Sequence, residues 1–408
     1  MKRIGLFLTA GPSGGGMFQY SMAVLSALLA LPQAESELVV GYSDPAWTQF
    51  VPADVELFPL RLSRTLSSVA ALWATVGISH KLWFRGAPRL FTAVREIARK
   101  NCDLWIFPRQ DVWSSRFPVP ALAAVHDLMH RYEPHFPEAA GFSRRRYRQR
   151  YMQELINCSA GILVDSAVGK RHVLESFEAD PGKVFILPYV PASYIYKSGI
   201  SSDFGARYRL PEKFLFYPAE FWPHKNHLRL IDAITRVRSS CSDIRLILAG
   251  SLGKEYPRVH AHVEKLGLHD HVQFAGYLPD GDISEFYRRA RALVFPTFFG
   301  PTNIPPLEAF ALGCPVAASG IYGMPEQLGD AALFFDPRSE EQMADCMRRL
   351  WQDDALCQRL ISNGHERARQ WGPSQFNAGL HSIIEQVTLD RVPARSCADR
   401  MAVPSLSR

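Results

Sequence analysis

Lys225 stands in the run Tyr217-Pro218-Ala219-Glu220-Phe221-Trp222-Pro223-His224-Lys225-Asn226-His227. The run reads as a strand end, a turn and the start of a helix. A lysine there is a compact point charge suited to a diphosphate. Residues 294–316 form a second constellation: a short apolar strand, then Gly300-Pro301-Thr302-Asn303-Ile304, then Pro305-Pro306 and Glu308. A proline pair suits a helix's first turn, where the missing N–H would be unpaired anyway. Strand, small-residue loop and helix start together aim backbone dipoles at one point, which is anion chemistry. A third candidate is Gly11-Pro12-Ser13-Gly14-Gly15-Gly16, ahead of an apolar helix. Its glycines free amides for a phosphate, or simply make a flexible strand-to-helix turn. The spacing is not Gly-x-Gly-x-x-Gly and lacks the Lys-Ser/Thr of a P-loop. The fourth candidate is His126-Asp127, a polar pair at the carboxyl end of a strand, where α/β enzymes place working groups.

A metal shared by His126, His130 and His135 would need one helical face, but Pro134 and Pro137 favour a loop. His260 and His262 read as surface residues. No Ser-His-Asp order, nucleophile elbow or His-Glu-x-x-His motif is present.

Short Val/Ile/Leu-rich runs alternating with helical patterns must position these groups, and that alternation predicts parallel sheets covered on both faces. In the first half the strands are expected at 4–9, 38–41, 104–107, 122–125, 161–164 and 184–187. In the second half they are expected at 214–218, 245–249, 272–274, 292–295, 315–318 and 332–335. The pattern lapses into Pro, Ser, Gly and Tyr around 189–210, the expected linker. The organisation predicted is an N-terminal domain 1–190, a C-terminal domain 191–372, a final helix 373–390 and a mobile tail 391–408. Two Rossmann-like halves would have their sheets facing a central cleft.

At 408 residues the chain suits two domains, and 47% hydrophobic content leaves little room for long disorder. A net charge of +6 is too mild for a dedicated nucleic-acid binder. The charge is uneven: residues 61–100 hold eight Lys/Arg and one acid, and 144–150 hold five arginines. These runs read as a solvated face, or as a surface for anionic lipid headgroups or a diphosphate-linked acceptor. The apolar run 66–76, with Trp73, Trp83 and Phe84 nearby, fits an interfacial helix or a core helix. Seven cysteines without a Cys-x-x-Cys pair argue for buried thiols in a reducing compartment, not disulfides or zinc. No run approaches the ~20 apolar residues of a membrane span.

Lys225, Ala249-Gly250-Ser251, Gly276-Tyr277-Leu278 and Pro305-Pro306-Leu307-Glu308-Ala309 occur in one order, with Val125-His126-Asp127 before them and Trp371 after. Together they resemble the retaining glycosyltransferases of family 4, which have the GT-B fold. The resemblance covers nearly the whole chain. It implies a nucleotide-sugar donor held mainly by the C-terminal domain. Lys225 should hold the diphosphate and Glu308 the ribose hydroxyls. Gly250, Ser251, Tyr277 and Leu278 should surround the nucleoside. Amides of Thr302, Asn303 and Ile304 should meet phosphate and sugar. His126 should lie near sugar and acceptor, with Gly15 and Gly16 facing the diphosphate. The last helix should cross back to the N-terminal domain. No metal or other cofactor is implied.

The implied function is transfer of a hexose, mannose or deoxyhexose favoured, to a glycan or polyprenyl-diphosphate-linked acceptor in bacterial surface polysaccharide synthesis. The implied setting is cytoplasmic, with peripheral contact at the inner membrane. Two departures stand out. The first glutamate of the family's Glu-x7-Glu pattern is Gly300 here, and the usual arginine five residues before the lysine is Glu220. Gly300 disfavours a double displacement through a carboxylate and suits front-face transfer. Glu220 leaves His224 or a distant arginine to share the diphosphate charge. The alternative is a catalytically silent protein that binds a glycan or a partner enzyme.

Overall fold

The computed structural model describes residues 1–32, 34–76, 80–196 and 203–389. The chain divides into two units. The first comprises Met1–Tyr132, Ala139–Pro188 and the chain from Gln375 onward; the second comprises Glu133–Glu138 and Tyr189–Ser374.

The first unit contains β1 (Lys2–Leu8), β2 (Ser36–Tyr42), β3 (Glu56–Pro59), β4 (Leu104–Phe107), β5 (Ala121–Ala124), β6 (Gly161–Val164) and β7 (Val184–Ile186). They pair in parallel in the order β3-β2-β1-β4-β5-β6-β7. The second unit contains β8 (Leu215–Pro218), β9 (Leu246–Ala249), β10 (Val272–Gly276), β11 (Ala292–Phe295), β12 (Val316–Ser319) and β13 (Ala332–Phe335). Their parallel order is β10-β9-β8-β11-β12-β13.

Twelve of these strands lie within two residues of the expected runs. The missed one is β3, whose four residues are partly exposed at a sheet edge and end in Pro59. Edge strands lack the continuous apolar signal of strands buried on both faces, and they tolerate proline. Strands β4, β5, β6, β9, β11 and β12 are buried throughout.

Each sheet has a point where the strand order reverses. In the first sheet Ile4 pairs with Leu38 on one side and Leu104 on the other. In the second, Leu215 pairs with Leu246 and with Ala292. Loops after the two strands at such a point leave the carboxyl edge side by side, which makes the crevice that α/β ligands use. Close packing is built in at β1, where a Cβ on Gly5 would come within 2.2 Å of the Trp105 ring.

The helix Gly16–Leu29 buries Phe18, Tyr20, Val24, Leu25 and Leu28, a helical stripe. The last helix, Pro373–Leu389, buries Phe376, Leu380, Ile383, Ile384 and Val387, and His381 Nε2–H donates to the Ala27 carbonyl at 2.6 Å. This helix therefore packs within the first unit. Full burial of each such side chain stabilises by about 1.5–3 kcal/mol.

A buried ionic group lies beneath the basic helices of the first unit. Arg116 is fully buried, pairs with Glu154 and donates to the Ala70 carbonyl at 3.4 Å. His80 Nε2 lies 3.5 Å from Glu154. Burial pushes the Arg116 guanidinium down from its ordinary pKa, and the Glu154 charge opposes that. Trp83 is buried beside Arg116, whose carbonyl accepts its Nε1–H at 2.7 Å, and Trp73 meets Trp83 edge-on. These indoles therefore serve the core and not an interface. The exposed apolar side chains of the region are instead Leu72, Val76, Leu82 and Leu90. Among the described residues no helix is long and apolar enough to cross a membrane. Cys102, Cys241, Cys314, Cys346 and Cys357 are buried free thiols.

Replacing one member of the ionic group strands the other's charge. Glu154→Gln is expected to destabilise the protein by about 3–5 kcal/mol in urea unfolding. Arg116→Met combined with Glu154→Leu should cost less than that single change.

Candidate active site

The reversal point of the second sheet brings together the turn after β8 and the loop after β11. The turn closes as a 3-10 segment, Pro223–Lys225, followed by Asn226 in the left-handed region at φ 63°. Asparagine tolerates that conformation better than most residues. The Asn226 side chain is buried and donates to the carbonyls of Pro296 (3.1 Å) and Pro337 (2.8 Å). The Tyr217 hydroxyl donates to the Lys225 carbonyl at 2.8 Å. The Phe298 amide donates to the His224 carbonyl at 2.9 Å. The Lys225 carbonyl is thus held from β8, while its neighbours His224 and Asn226 bond to the loop after β11. The helix proper begins two residues later, at His227.

Gly300 has φ 87°, and a Cβ there would meet the Thr302 carbonyl oxygen at 2.8 Å and the Asn303 amide group at 3.1 Å. The loop's path therefore excludes a side chain at 300, and a glutamate would require a different backbone. Asn303 is fixed by donation from its N–H to Gln327 Oε1 (3.0 Å) and from Gln327 Nε2 to its carbonyl (2.9 Å). The Asn303 amide thus has an acceptor within the protein. Thr302 and Ile304 flank it, Thr302 being buried and Ile304 preceding the helix Pro305–Ala311.

Glu308 lies in that helix and is buried. Its Oε1 accepts from the Tyr194 hydroxyl (2.7 Å) and its Oε2 from the Tyr287 hydroxyl (2.9 Å). Burial lifts its pKa above the ordinary value, although the two tyrosines and the Ala192 amide oppose the shift. A carboxylate has about four lone-pair sites, so two tyrosines and the Ala192 amide leave capacity for about one further donor.

Lys225 makes itself felt at His227. Burial first, and then the Lys225 charge, push that imidazole down to about 3, so it is neutral. Lys225 Nζ lies 5.8 Å from the centre of the Phe295 ring. Glu220 accepts from Ser251 Oγ at 2.9 Å and ties the loop after β9 to the turn after β8. At Gly250 a Cβ would strike the Ala219 carbonyl oxygen at 2.3 Å, so the two loops meet backbone to backbone. Tyr277 is exposed. The Leu278 side chain is buried in the core, so only its backbone is open to a neighbour on that side.

In the first unit, Gly15 adopts φ 54° with open space around it and Gly16 begins the helix. His126 follows β5. Its Nε2–H donates to the Pro108 carbonyl at 2.7 Å, and its own amide donates to Gln110 Oε1 at 2.6 Å. Burial pushes this imidazole below its ordinary pKa, against the pull of Pro108 and Asp127, so it is neutral. The three clustered histidines have separate partners. His130 Nε2 meets Gln149 at 3.3 Å, and His135 lies 3.4 Å from Glu133. His262 is half-buried and paired with Asp232 at 2.6 Å, so it is not a plain surface residue.

Sequence inspection missed Tyr194, Gln110 and the segment Glu133–Glu138. The last carries Glu138, whose Oε1 lies 2.7 Å from His224 Nδ1. The spacing of acids, prolines and aromatics in 133–138 is the only local signal, and it names no partner.

Residues 204–367 match the family model for glycosyl transferases group 1. An O-antigen chain mannosyltransferase B of Escherichia coli is 27% identical over 58% of this chain, and the match spans 63% of that relative's own length. The O-antigen chain mannosyltransferase RfbU of Salmonella typhimurium is 24% identical over 84% of this chain and 89% of its own. Sucrose-phosphate synthase from Thermosynechococcus elongatus superimposes with a TM-score of 0.73, covering 96% of this chain and all of that one at 19% identity. Anabaena HepE in complex with UDP gives 0.69, covering 94% of this chain and all of that one at 18% identity. The likeness to these structures establishes the GT-B type of fold.

Asp111, following β4, tests the electrostatics of the first unit. Thr9 Oγ1 donates to it at 3.2 Å and the Trp113 amide at 3.0 Å, yet burial lifts its pKa to about 6. A raised carboxyl favours the folded state while protonated. That contribution is complete below about pH 4, the unfolded value, and is lost as pH rises through the folded one. Asp111→Asn should therefore raise Tm at pH 7.5, with a gain that shrinks below pH 6 and vanishes near pH 4 in calorimetry.

Proposed function

We propose that the chain is a glycosyl transferase of group 1, the family whose model residues 204–367 match, and that it moves a hexose from a nucleotide diphosphate sugar to a glycan or lipid-linked glycan. One observation carries the reading: the Lys225 turn and the Gly300 loop are hydrogen-bonded together at the reversal point of the second sheet, with Glu308 on the helix that follows. Lys225 supplies the charge for the diphosphate. Glu308 accepts from a ribose hydroxyl with the capacity its two tyrosines and the Ala192 amide leave. The loop after β9, with Gly250 and Ser251, and the exposed Tyr277 border the nucleoside. Likeness to O-antigen mannosyltransferases supports a mannosyl donor and surface polysaccharide as product.

The chemistry follows from Gly300. No carboxylate can project from that position, so transfer proceeds on the face the donor already presents. The bond from the anomeric carbon to the diphosphate breaks, and one to the acceptor oxygen forms. The acceptor's proton passes to an oxygen of the departing diphosphate. The protein contributes position and preorganised charge.

A further proposal concerns the first unit. Leu72, Val76, Leu82 and Leu90 are exposed in a segment that carries eight basic residues between 61 and 100. Apolar side chains amid lysine and arginine fit an anionic bilayer surface, where a lipid-linked acceptor would be met on the cytoplasmic face.

The nucleotide that raises Tm among GDP, UDP and dTDP identifies the donor base, because a ligand of the native state stabilises by mass action. With the matching sugar nucleotide, the product should retain anomeric configuration by NMR, and activity should survive EDTA. Lys225→Ala should lower kcat/KM by roughly 10²–10³-fold. Glu308→Gln should chiefly raise the donor KM. An inverted product, or unchanged turnover in Lys225→Ala, would overturn the proposal. Absence of both transfer and donor hydrolysis would favour a glycan-binding role.

Binding to phosphatidylglycerol vesicles should exceed binding to phosphatidylcholine vesicles. Leu72→Glu with Leu90→Glu should weaken it by roughly tenfold or more in cosedimentation. Equal binding of variant and wild type would exclude this face.

A further inference from the structure

Glu133–Glu138 counts with the second unit, although the chain on both sides of it counts with the first. It grips the loops of the candidate donor site at three points. The Tyr322 hydroxyl donates to Glu133 Oε1 at 2.5 Å, and Arg338 reaches the same oxygen at 3.4 Å. Phe136 packs on Phe298 with ring centres 5.1 Å apart and meets Phe299 edge-on at 5.3 Å. Glu138 Oε1 lies 2.7 Å from His224 Nδ1 and 3.4 Å from the His224 amide nitrogen. The imidazole lies flat on Phe299, 3.9 Å between centres at 15°. One short segment therefore supplies both the carboxylate that holds the His224 ring and the aromatic wedge behind the ring it stacks on.

The His224 and Glu138 side chains are only 13% and 14% exposed. A mostly buried acid and imidazole at such a distance are best satisfied as an ion pair, since charge assistance offsets the desolvation each would suffer alone. Burial alone would lift the Glu138 carboxyl, but the hydrogen bond and charge of His224 hold it below the ordinary range. Between Ala219 and Asn226 the only basic side chains are His224 and Lys225, and Glu220 adds a negative charge turned to Ser251. A diphosphate at this turn meets one permanent cation unless His224 is charged.

We propose that Glu138 is a positioning residue for the donor diphosphate: it fixes His224 as an imidazolium beside Lys225, so that the site presents two adjacent cations. The inference rests on the reading of the second unit as a nucleotide-sugar site. Among the described residues, the charged and titratable groups recorded beside His224 include Glu138 from the segment, Lys225 on the same turn and His227 on the next helix, held neutral. Arg229 and Arg338 lie 5.9 and 5.2 Å from the centre of the neighbouring Phe298 ring. Both arginines stay charged across the accessible range and add no titration near neutral pH; the terminal phosphate of the nucleotide does titrate there, so the imidazole's share is the part of the pH profile that changes in the Glu138 and His224 variants.

The test is calorimetric titration of the full-length protein with GDP, UDP and dTDP between about pH 5.5 and 9. Glu138→Gln, Glu138→Asp, His224→Gln and the Glu138→Gln/His224→Gln double variant are compared with wild type. Wild-type affinity should fall as pH rises through the imidazole's titration. Glu138→Gln should move that midpoint to lower pH and weaken nucleoside diphosphate binding at neutral pH by roughly five- to tenfold. Affinity for the corresponding nucleoside should not change. Glu138→Asp should restore part of the midpoint shift. The double variant should bind no more weakly than His224→Gln. An unmoved midpoint in Glu138→Gln, or a double variant whose loss is the product of the two single losses, overturns the inference. Wild-type protein that binds none of the three nucleotides overturns the donor-site reading and the inference together.

Discussion

A buried asparagine holds the second unit's site in place. Asn226 gives its two amide hydrogens to carbonyls that follow different strands, β11 and β13, while its backbone occupies the left-handed region. A buried donor left unmatched costs about 1–3 kcal/mol, so three segments must converge for this side chain to be satisfied. The position of Lys225 is a consequence: its carbonyl accepts from Tyr217, and its neighbours on both sides bond to the loop after β11.

Around that anchor the site is arranged so that charge and burial oppose each other. His227, behind the lysine, is neutral and apolar in behaviour, and the positive charge is not diluted into the core. Glu308 is the opposite case, a carboxyl kept under a layer of tyrosines at some electrostatic cost. Partly satisfied buried groups of this kind are costly in a resting fold and useful where a polar ligand completes them.

Much of the architecture is legible in the amino-acid order because strands of a doubly covered parallel sheet are continuous apolar runs, and β4, β6, β11 and β13 fall where those runs fall. Lys225 and Glu308 were also legible, since their neighbours in sequence define the turn and helix that bear them. Contacts between distant residues were not. Glu138 meets His224 across 86 residues and Tyr194 meets Glu308 across 114, and hydrophobic patterning says only that such groups are covered, not by what. The burial of the Leu278 side chain and the bond from the Asn303 amide to Gln327 were likewise not readable from local pattern. In the basic segment the pattern identified a helix but not its phase. Trp83 turned inward to bond the Arg116 carbonyl, and leucines took the outside.

The excursion at Glu133–Glu138 limits how this chain can be taken apart. The polypeptide passes between its two units at four places, at 132/133, 138/139, 188/189 and 374/375. Cutting at the two later junctions would release a piece with a complete six-stranded sheet but without the six residues that cover Phe298, Phe299 and His224. Exchange of halves between related proteins would meet the same obstacle, because the segment would arrive with one parent and its partners with the other. The segment and the residues it covers are therefore a matched set that any division of the chain must keep together.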